Sequence, residues 1–382
     1  MNSEIYFDNN ATTLVLPEVF EAMRPFLSEL YGNPSSIHRF GSQVGQKISE
    51  ARAQVAALIG AADPVEVIFT SCGTEGDNAA IHAMLEARPD KRHIVTTKVE
   101  HPAVYGLCEH LEKKGYRVTW LGVNEGGGLN LDELRDSLSD DTALVSVMHA
   151  NNETGVIQPV GEIGRITREL AVLFHSDGVQ AAGKIPFSVN NLGVDLYSIS
   201  GHKLNAPKGV GALYVRKGLT LQPLQFGGRH ENGRRAGTEN VPAAIALGAA
   251  VAYREDEAKL LSQVRYRIER RVAAEIPHVM VNGWTAPRLP NTVNISFDGL
   301  EGESLVIALD LRGFAVSSGS ACSSGAVEPS HVLIAMGLAP EQAKASLRFS
   351  VGLGNTVEQA DALVDAIAAS CVHLRRLSPV YV

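Results

Sequence analysis

The chain has 382 residues, of which 45% are hydrophobic and 20% are charged. This composition is typical of a globular protein with a large buried core, and it excludes a disordered or collagen-like chain. The 34 basic and 42 acidic residues give a formal net charge of -8. No overall positive field therefore attracts a nucleic-acid backbone.

Sequence signals for secretion, membrane insertion and metal binding are lacking. The apolar stretch 241–252 is too short to span a bilayer, and Asp8 interrupts the amino-terminal segment before a signal-like apolar region can form. The four cysteines are too few for a disulfide scaffold and include no CxxC pair, so we expect neither structural disulfides nor a metal site. We expect a cytoplasmic protein with no membrane or nucleic-acid partner.

Short apolar segments alternate with helical or loop segments between residues 65 and 216. The predicted strands cover residues 65–70, 94–97, 118–121, 143–149, 173–176, 196–200 and 211–215. This alternation indicates βαβ crossovers, and therefore an α/β fold with a mostly parallel sheet covered by helices on both faces. Ligand chemistry is then expected at the carboxyl ends of the strands.

The pattern changes after Gly228. A long helical stretch is predicted from Val241 to about Ile276. Its second half is charged, so it could bridge two domains, and we place a domain boundary near residue 260. The elements predicted after it are a strand at 291–297, a helix at 303–311, a strand at 314–317 and a helix at 357–374. They indicate a smaller α+β domain.

Polar segments that follow the predicted strands are the first candidates for a site. Thr74 lies where a strand leads into a helix, so its hydroxyl and the free N–H groups there predict either a phosphate site or an ordinary helix cap. Lys203 follows another strand among small and hydroxyl residues, and is either a surface charge or a Schiff-base amine. Asp177 is either a helix cap or the partner of a heteroaromatic nitrogen.

Two further polar residues are expected at the same edge. His101 follows the strand at 94–97 and could stack on a planar cofactor and transfer protons near neutral pH, although a lone histidine is usually structural. Asn152 follows the strand at 143–149, where an ordinary loop turn is an equal explanation.

The segment 317–325 is the most distinctive in the chain, because eight small residues surround a single cysteine, Cys322. Such a loop has little apolar surface to anchor it. A cysteine is normally a small buried hydrophobe, but here the thiol can be presented as a nucleophile. We favour that interpretation of Cys322, and we expect Cys108 and Cys371 to be packing residues.

Several segments, spread in order over nearly the whole chain, together resemble the pyridoxal-phosphate-dependent cysteine desulfurases. They cover residues 6–13, 32–36, 100–102, 151–155, 200–203 and 317–325. Segments 71–75, 233–240 and 374–379 look most like the NifS type, which supplies nitrogenase clusters. The resemblance implies pyridoxal 5'-phosphate as cofactor, L-cysteine as substrate, and an iron–sulfur scaffold or other sulfur acceptor as partner.

The resemblance also implies a role for individual residues. Lys203 would hold the cofactor as a Schiff base, Asp177 would pair with its pyridine nitrogen, and His101 would stack on the ring. The remaining implied contacts are Gln180 to the ring hydroxyl; Thr74, Ser200 and His202 to the phosphate; Asn152 and Arg348 to the substrate carboxylate; and Thr238 to the phosphate of the other subunit in a homodimer. Cys322 would accept the substrate sulfur as a persulfide, releasing alanine.

The family fold implies the rest of the architecture. It is aminotransferase-like, of class V and fold type I, with a large cofactor domain at 14–260 and a small domain formed by 1–13 and 261–382. Gly76 and Gly178 stand where many relatives have a serine and an alanine, and neither position carries an assigned role. The short loop after Cys322 resembles the group that works without a stimulatory partner.

Three other functions remain open at this point. A selenocysteine lyase and a plain class-V aminotransferase are the neighbouring enzymes, and a catalytically idle scaffold that binds assembly partners is the non-enzymatic alternative. Transamination has no use for a mobile thiol, which argues against the aminotransferase. The intact set of chemistry-bearing side chains argues against the scaffold.

Overall fold

The structure is a computed structural model that describes residues 4–252, 258–318 and 328–377. Its strands are β1 (Ile5–Tyr6), β2 (Val67–Thr70), β3 (His93–Thr97), β4 (Arg117–Leu121), β5 (Thr142–Ser146), β6 (Leu173–Asp177), β7 (Leu196–Ser200), β8 (Gly211–Val215), β9 (Val279–Asn282), β10 (Thr292–Phe297), β11 (Phe314–Ala315), β12 (Ser317–Ser318) and β13 (Ser346–Ser350).

Helices occupy much of the remaining described chain. They are α1 (Pro17–Met23), α2 (Pro25–Ser28), α3 (Arg39–Ile59), α4 (Gly73–Glu86), α5 (Pro102–Lys113), α6 (Leu131–Ser137), α7 (Val160–Glu169), α8 (Val189–Leu192), α9 (Val241–Ala252), α10 (Ala258–Glu275), α11 (Gly302–Asp310), α12 (His331–Ala335), α13 (Pro340–Lys344) and α14 (Val357–Leu377). Short 3-10 turns lie at Pro64–Glu66, Gly201–Lys203 and His230–Gly233. No described helix is long and apolar enough to cross a membrane.

Seven strands form the main sheet in the order β2-β8-β7-β6-β5-β3-β4. β8 is antiparallel to both of its neighbours, whereas the pairs from β7 to β4 are parallel. The prediction of a mostly parallel α/β sheet is therefore confirmed. The residues of β5, β6, β7 and β8 are all buried, because helices cover both faces of the sheet.

Several predicted strand boundaries are wrong: the strand predicted at 143–149 is β5 and ends at Ser146, and two others differ for local reasons. The prediction began the first strand at Val65, but Pro64–Glu66 form a 3-10 turn because the Asp63 side chain accepts a hydrogen bond from the Val65 N–H and Glu66 completes a capping box. The prediction treated 314–317 as one strand. It is two, because β11 pairs with β1 whereas β12 pairs with β13 in another sheet.

A second, four-stranded antiparallel sheet has the order β12-β13-β10-β9. Helices α10, α11 and α14 contribute to its apolar core, and Phe7 from the amino-terminal segment is fully buried in it. The predicted continuous helix from 241 to 276 is described as α9 and α10, with residues 253–257 between them outside the described chain.

Candidate active site

A cavity of about 320 Å³ opens where β6 and β7 end and α4 begins. Its volume falls in the range of about 300–1,000 Å³ that is typical of small-molecule sites. The predicted site residues that line it are Thr74, His101, Asn152, Asp177, Gln180, Ser200, His202, Lys203 and Arg348. The carboxyl edge of the sheet therefore brings these side chains together, as the strand order requires.

The Lys203 ammonium group lies against the amino-terminal segment. Its Nζ donates hydrogen bonds to the backbone oxygens of Asn10 and Ala11, the latter at 2.7 Å. Lys203 ends the 3-10 turn that follows β7, so the end of a fully buried strand determines its position. The side chain is only half-buried, which keeps the amine accessible from the cavity.

Asp177 is the last residue of β6, and only 5% of its surface is exposed. Its Oδ1 accepts a hydrogen bond of 2.8 Å from the Val179 N–H. Burial raises the pKa of Asp177 to about 6, with the charge of Asp77 adding to the rise and His101 opposing it. The pKa of Asp77 is also raised to about 6, mainly by burial. Two buried carboxyl groups on one wall favour a ligand that brings a positive charge or an N–H donor.

His101 is the N-cap residue of α5, and its Nδ1 accepts a hydrogen bond of 3.1 Å from the Ala103 N–H. In the neutral imidazole that contact assigns the proton to Nε2. The charge of His101 acts on both Asp77 and Asp177, which places its ring beside the carboxylate wall.

The opposite end of the cavity is suited to an anion. Thr74 lies in the first turn of α4, where backbone N–H groups have no partner within the helix. The Ser200 hydroxyl is buried and has no hydrogen-bond partner. The Nδ1 of His202 lies 3.2 Å from the hydroxyl oxygen of Thr12, and burial followed by the charges of Lys203 and Lys208 lowers the pKa of His202 to about 4.

Arg348 on β13 closes the cavity from the smaller sheet, and its side chain is almost fully buried. One terminal nitrogen donates to Asp8 Oδ1 at 2.8 Å and the other to the backbone oxygen of Asn152 at 3.0 Å. The Nε of Arg348 is buried and has no hydrogen-bond partner. A planar guanidinium held in this way is suited to a carboxylate ligand.

Gln180 is held by contacts within the chain. Its Nε2 donates to the backbone oxygen of Asn10 at 3.1 Å, and its Oε1 accepts from the Lys184 Nζ at 2.6 Å. Both ends of the amide therefore have protein partners. The contact of Gln180 with a cofactor hydroxyl remains a prediction.

Asn10 and Asp77 also line the cavity, although no sequence motif predicted a role for either residue. The Nδ2 of Asn10 donates hydrogen bonds to the Asn152 backbone oxygen at 3.1 Å and to the Thr292 hydroxyl at 2.8 Å. The side chain therefore connects the two sheets. Asp77 lies three residues after Thr74 on α4. That spacing puts both side chains on one helix face and could have identified Asp77 from the sequence.

One predicted residue that the structure describes, Thr238, lies outside this cavity. Thr238 is exposed and lines a neighbouring cavity of about 250 Å³ together with Ser71, Glu231 and Arg235. Its contact with the cofactor of a second subunit remains a prediction. Cys322 lies outside the described residues. The described part of the chain contains no group of three histidine, cysteine or acidic side chains that could hold a metal ion.

Comparison with known proteins identifies the family. The profile of the class-V aminotransferases matches residues 5–363. The chain is 53% identical to a cysteine desulfurase of Trichormus azollae over 99% of this chain and 95% of that protein. It is 45% identical to the cysteine desulfurase NifS of Azotobacter vinelandii, with the same coverage. The chain belongs to the cysteine desulfurases of the class-V aminotransferase family.

The fold of this cysteine desulfurase family member is also found among solved structures. A NifS-like protein superposes with a TM-score of 0.90 at 37% identity, covering 97% of this chain and 100% of that protein. Enzymes of this family depend on pyridoxal phosphate, so the cavity can be tested against that group. The buried hydroxyl of Ser200 without a partner, the N-terminus of α4 and the carboxyl group of Asp177 fit a phosphate at one end and a pyridine nitrogen at the other.

Proposed function

We propose that this enzyme converts L-cysteine to L-alanine and passes the sulfur to Cys322 as a persulfide. The observation that supports this proposal is the cavity in which the Lys203 amine, the Asp177 carboxyl group and the N-terminus of α4 face one volume. An amine, an acid and an anion site are the groups that a pyridoxal phosphate enzyme needs.

Lys203, Asp177 and the anion end hold the cofactor in this proposal. Asp177 would pair with the pyridine nitrogen, and the Lys203 amine would hold the aldehyde group. Thr74, Ser200 and His202 bind the phosphate, for which Ser200 offers a hydroxyl that no protein atom engages. When bound, the cofactor supplies an electron sink for the carbon that loses its proton.

The proton steps belong to side chains of this chain. Once released, the Lys203 amine removes the α-proton of cysteine and returns a proton to the product. His101, with Nδ1 engaged by the Ala103 N–H, holds a proton on Nε2 and would stack on the cofactor ring. Asp177 is mainly ionised above pH 6, so at neutral pH it accepts a hydrogen bond rather than donating one.

Asn152 and Arg348 orient the substrate by its carboxylate. Arg348 already lies against the backbone oxygen of Asn152, so one contact fixes the two groups together. The ion pair between Arg348 and Asp8 competes with the substrate, because both carboxylates approach one guanidinium. Substrate binding therefore rearranges the contact between Arg348 and Asp8.

The substrate sulfur is transferred to Cys322 as sulfane sulfur, which is formally a neutral atom. The Cys322 thiolate attacks the substrate sulfur and forms a sulfur–sulfur bond, while the carbon–sulfur bond of the substrate breaks. The electron pair of that bond stays with the carbon, which takes up one proton and becomes the methyl group of alanine. The persulfide on Cys322 is then available to an acceptor.

We extend the proposal to the setting of the enzyme. It acts in the cytoplasm as a homodimer, with Thr238 reaching the phosphate site of the partner, and it supplies sulfur for iron–sulfur clusters, in particular those of nitrogenase. The similarity to NifS of Azotobacter vinelandii and the exposed position of Thr238 support these proposals. Residues 14–260 act as the cofactor domain, and residues 1–13 with 261–382 act as the small domain.

The test is purified protein incubated with pyridoxal phosphate, L-cysteine and the thiol reductant dithiothreitol, which reduces the persulfide and releases its outer sulfur as sulfide, with alanine and sulfide measured together. Equal amounts of the two products are expected. Cys322→Ala should keep the yellow cofactor band but lose sulfide release, while Cys108→Ala, at a buried cysteine away from the cavity, should retain it. Unchanged sulfide release by Cys322→Ala would remove this residue from the mechanism. Wild-type protein that shows no cofactor band after incubation with pyridoxal phosphate would contradict the whole assignment.

A further inference from the structure

The ring of Tyr197 packs beneath the turn that carries Asp177, on the face of the sheet away from the cavity. Tyr197 is the second residue of β7, is fully buried, and belongs to the apolar cluster on that face. Its ring centroid is 5.1 Å from that of Phe187 and 5.9 Å from that of His149. Tyr197 does not line the cavity.

Gly178, the residue after Asp177, leaves the space that this ring occupies. A Cβ atom built on Gly178 would lie 1.9 Å from Cζ of Tyr197 and 2.3 Å from its hydroxyl oxygen. Both distances are far below van der Waals contact, so a side chain at 178 and a tyrosine at 197 exclude each other. The backbone of Gly178 is outside the left-handed region. The need for glycine is therefore spatial and not conformational.

The Tyr197 hydroxyl is also tied to the backbone around Asp177. It lies 2.8 Å from Nδ1 of His149, and burial lowers the pKa of His149 to about 4, so that ring is neutral at physiological pH. The His149 N–H donates to the Asp177 backbone oxygen at 2.8 Å, and the Gly178 N–H donates to the Ser198 oxygen at 2.9 Å. Both the carbonyl and the N–H of the peptide that joins Asp177 to Gly178 are therefore hydrogen-bonded.

We propose that Tyr197 is a positioning residue for Asp177: its ring, fitted against Gly178 and bonded to His149, fixes the turn that aims the Asp177 carboxylate into the cavity. This inference rests on the proposed pairing of Asp177 with the cofactor. Tyr197 itself touches no reacting atom. Its effect passes through the backbone of residues 177–179, where the Val179 N–H also holds the carboxylate.

The first test titrates apoprotein with pyridoxal phosphate and follows the cofactor absorbance band. Tyr197→Phe keeps the ring but removes one buried hydrogen bond, so we expect the apparent Kd to rise about fivefold with the fold retained. The control is Tyr214→Phe, because Tyr214 is an equally buried tyrosine that pairs with Tyr197 across β7 and β8. It should bind the cofactor as the wild type does.

The background Asp177→Asn separates positioning from general stability. If Tyr197 acts through the Asp177 carboxylate, adding Tyr197→Phe to Asp177→Asn should leave the apparent Kd unchanged. An equal loss in both backgrounds would overturn the proposal while leaving the role of Asp177 intact. If Asp177→Asn itself binds the cofactor normally, the proposed role of Asp177 fails, and this inference fails with it.

The second test uses the steric match between positions 178 and 197. Gly178→Ala should weaken cofactor binding by at least about tenfold, since the added methyl group displaces the Tyr197 ring or the turn. Gly178→Ala combined with Tyr197→Leu removes the clash and should regain most of the binding that Gly178→Ala loses. Normal binding by Gly178→Ala alone, or no recovery in the double variant, would contradict the match. Thermal melts show which variants fold, and Tyr197→Phe tests the proposal if Gly178→Ala does not.

Discussion

The two walls of the cavity differ in how completely their polar groups are satisfied. On the sheet wall, the Ser200 hydroxyl has no partner, and burial raises the pKa values of Asp77 and Asp177 to about 6. On the other wall, Asn10 bonds to Asn152 and Thr292 through its side chain. Polar groups that stay buried without partners cost stability, so the sheet wall is arranged for a ligand, and on the other wall the unpartnered Nε of Arg348 marks the position left for one.

The contrast follows from the origin of each wall. The sheet wall comes from the ends of neighbouring strands, where side chains converge on a space that no other element fills. The other wall comes from Asn10 and Arg348, which are far apart in sequence. Both side chains donate to the backbone oxygen of Asn152, and these contacts hold the two sheets together. Substitutions on the sheet wall should therefore affect the cofactor, and substitutions on the other wall should affect the substrate.

Lys203→Ala gives the largest expected effect on the sheet wall. Without the amine, the cofactor loses its covalent attachment and the α-proton loses its base, so cysteine turnover should fall to background. Absorbance after desalting and alanine production measure the two losses. Lys91→Ala is the matched control, because Lys91 is also half-buried, donates to the backbone oxygen of Thr142 at 3.1 Å and does not line the cavity. A normal cofactor band in Lys203→Ala after desalting would contradict the assignment.

Asp177→Asn should lower kcat/KM by about 10²-fold or more, because an amide cannot keep the pyridine nitrogen protonated. In the apoprotein, the raised pKa of Asp177 costs stability above pH 6, and that cost disappears as the pH falls towards the lower pKa of the unfolded chain. Cofactor binding needs the ionised form. We therefore expect the rise in Tm caused by pyridoxal phosphate to be smaller at pH 5 than at pH 7.5.

The Asp177→Asn variant serves as the reference for that pH comparison, because the titrations of the cofactor and of all other groups are common to both proteins. The difference between the two proteins should be largest above pH 6 and should shrink below it. An identical pH dependence in wild type and variant would show that Asp177 does not carry the effect.

Arg348→Lys tests the opposite wall. A lysine keeps the positive charge but cannot hold a carboxylate with two parallel hydrogen bonds, so we expect the KM for cysteine to rise about tenfold. The cofactor band should stay unchanged. The comparison of the walls would fail if Arg348→Lys lost the cofactor while the KM of the remaining active protein stayed the same.

Ser200→Ala should have the smallest effect on the enzyme. It should leave the apoprotein at least as stable while it weakens cofactor binding. Removing a buried hydroxyl without a partner takes away a cost of about 1–3 kcal/mol, so the apoprotein should be at least as stable as the wild type. Losing a phosphate contact should weaken the cofactor by about fivefold. Thermal melts of apoprotein and a cofactor titration measure both values. A destabilised apoprotein would mean that the hydroxyl is already satisfied.

Much of this protein could be predicted from local sequence patterns. Strand segments such as Leu196–Ser200 were placed residue by residue, because a buried parallel strand requires a short apolar run between turns. The convergence of Asp177 and Lys203 also followed, since each comes after a strand and parallel strands end at one edge. The ordered motifs then identified the family, which neither composition nor periodicity could do.

Tertiary structure alone determined which distant groups meet. Nothing near Lys203 in the sequence indicates that its amine contacts the backbone oxygen of Asn10, or that Arg348 pairs with Asp8. The fit of Tyr197 against Gly178 depends on the way β6 and β7 pair and on the rotamer of one ring. Local patterns encode which face of an element is buried, whereas these contacts arise only when separate elements pack together.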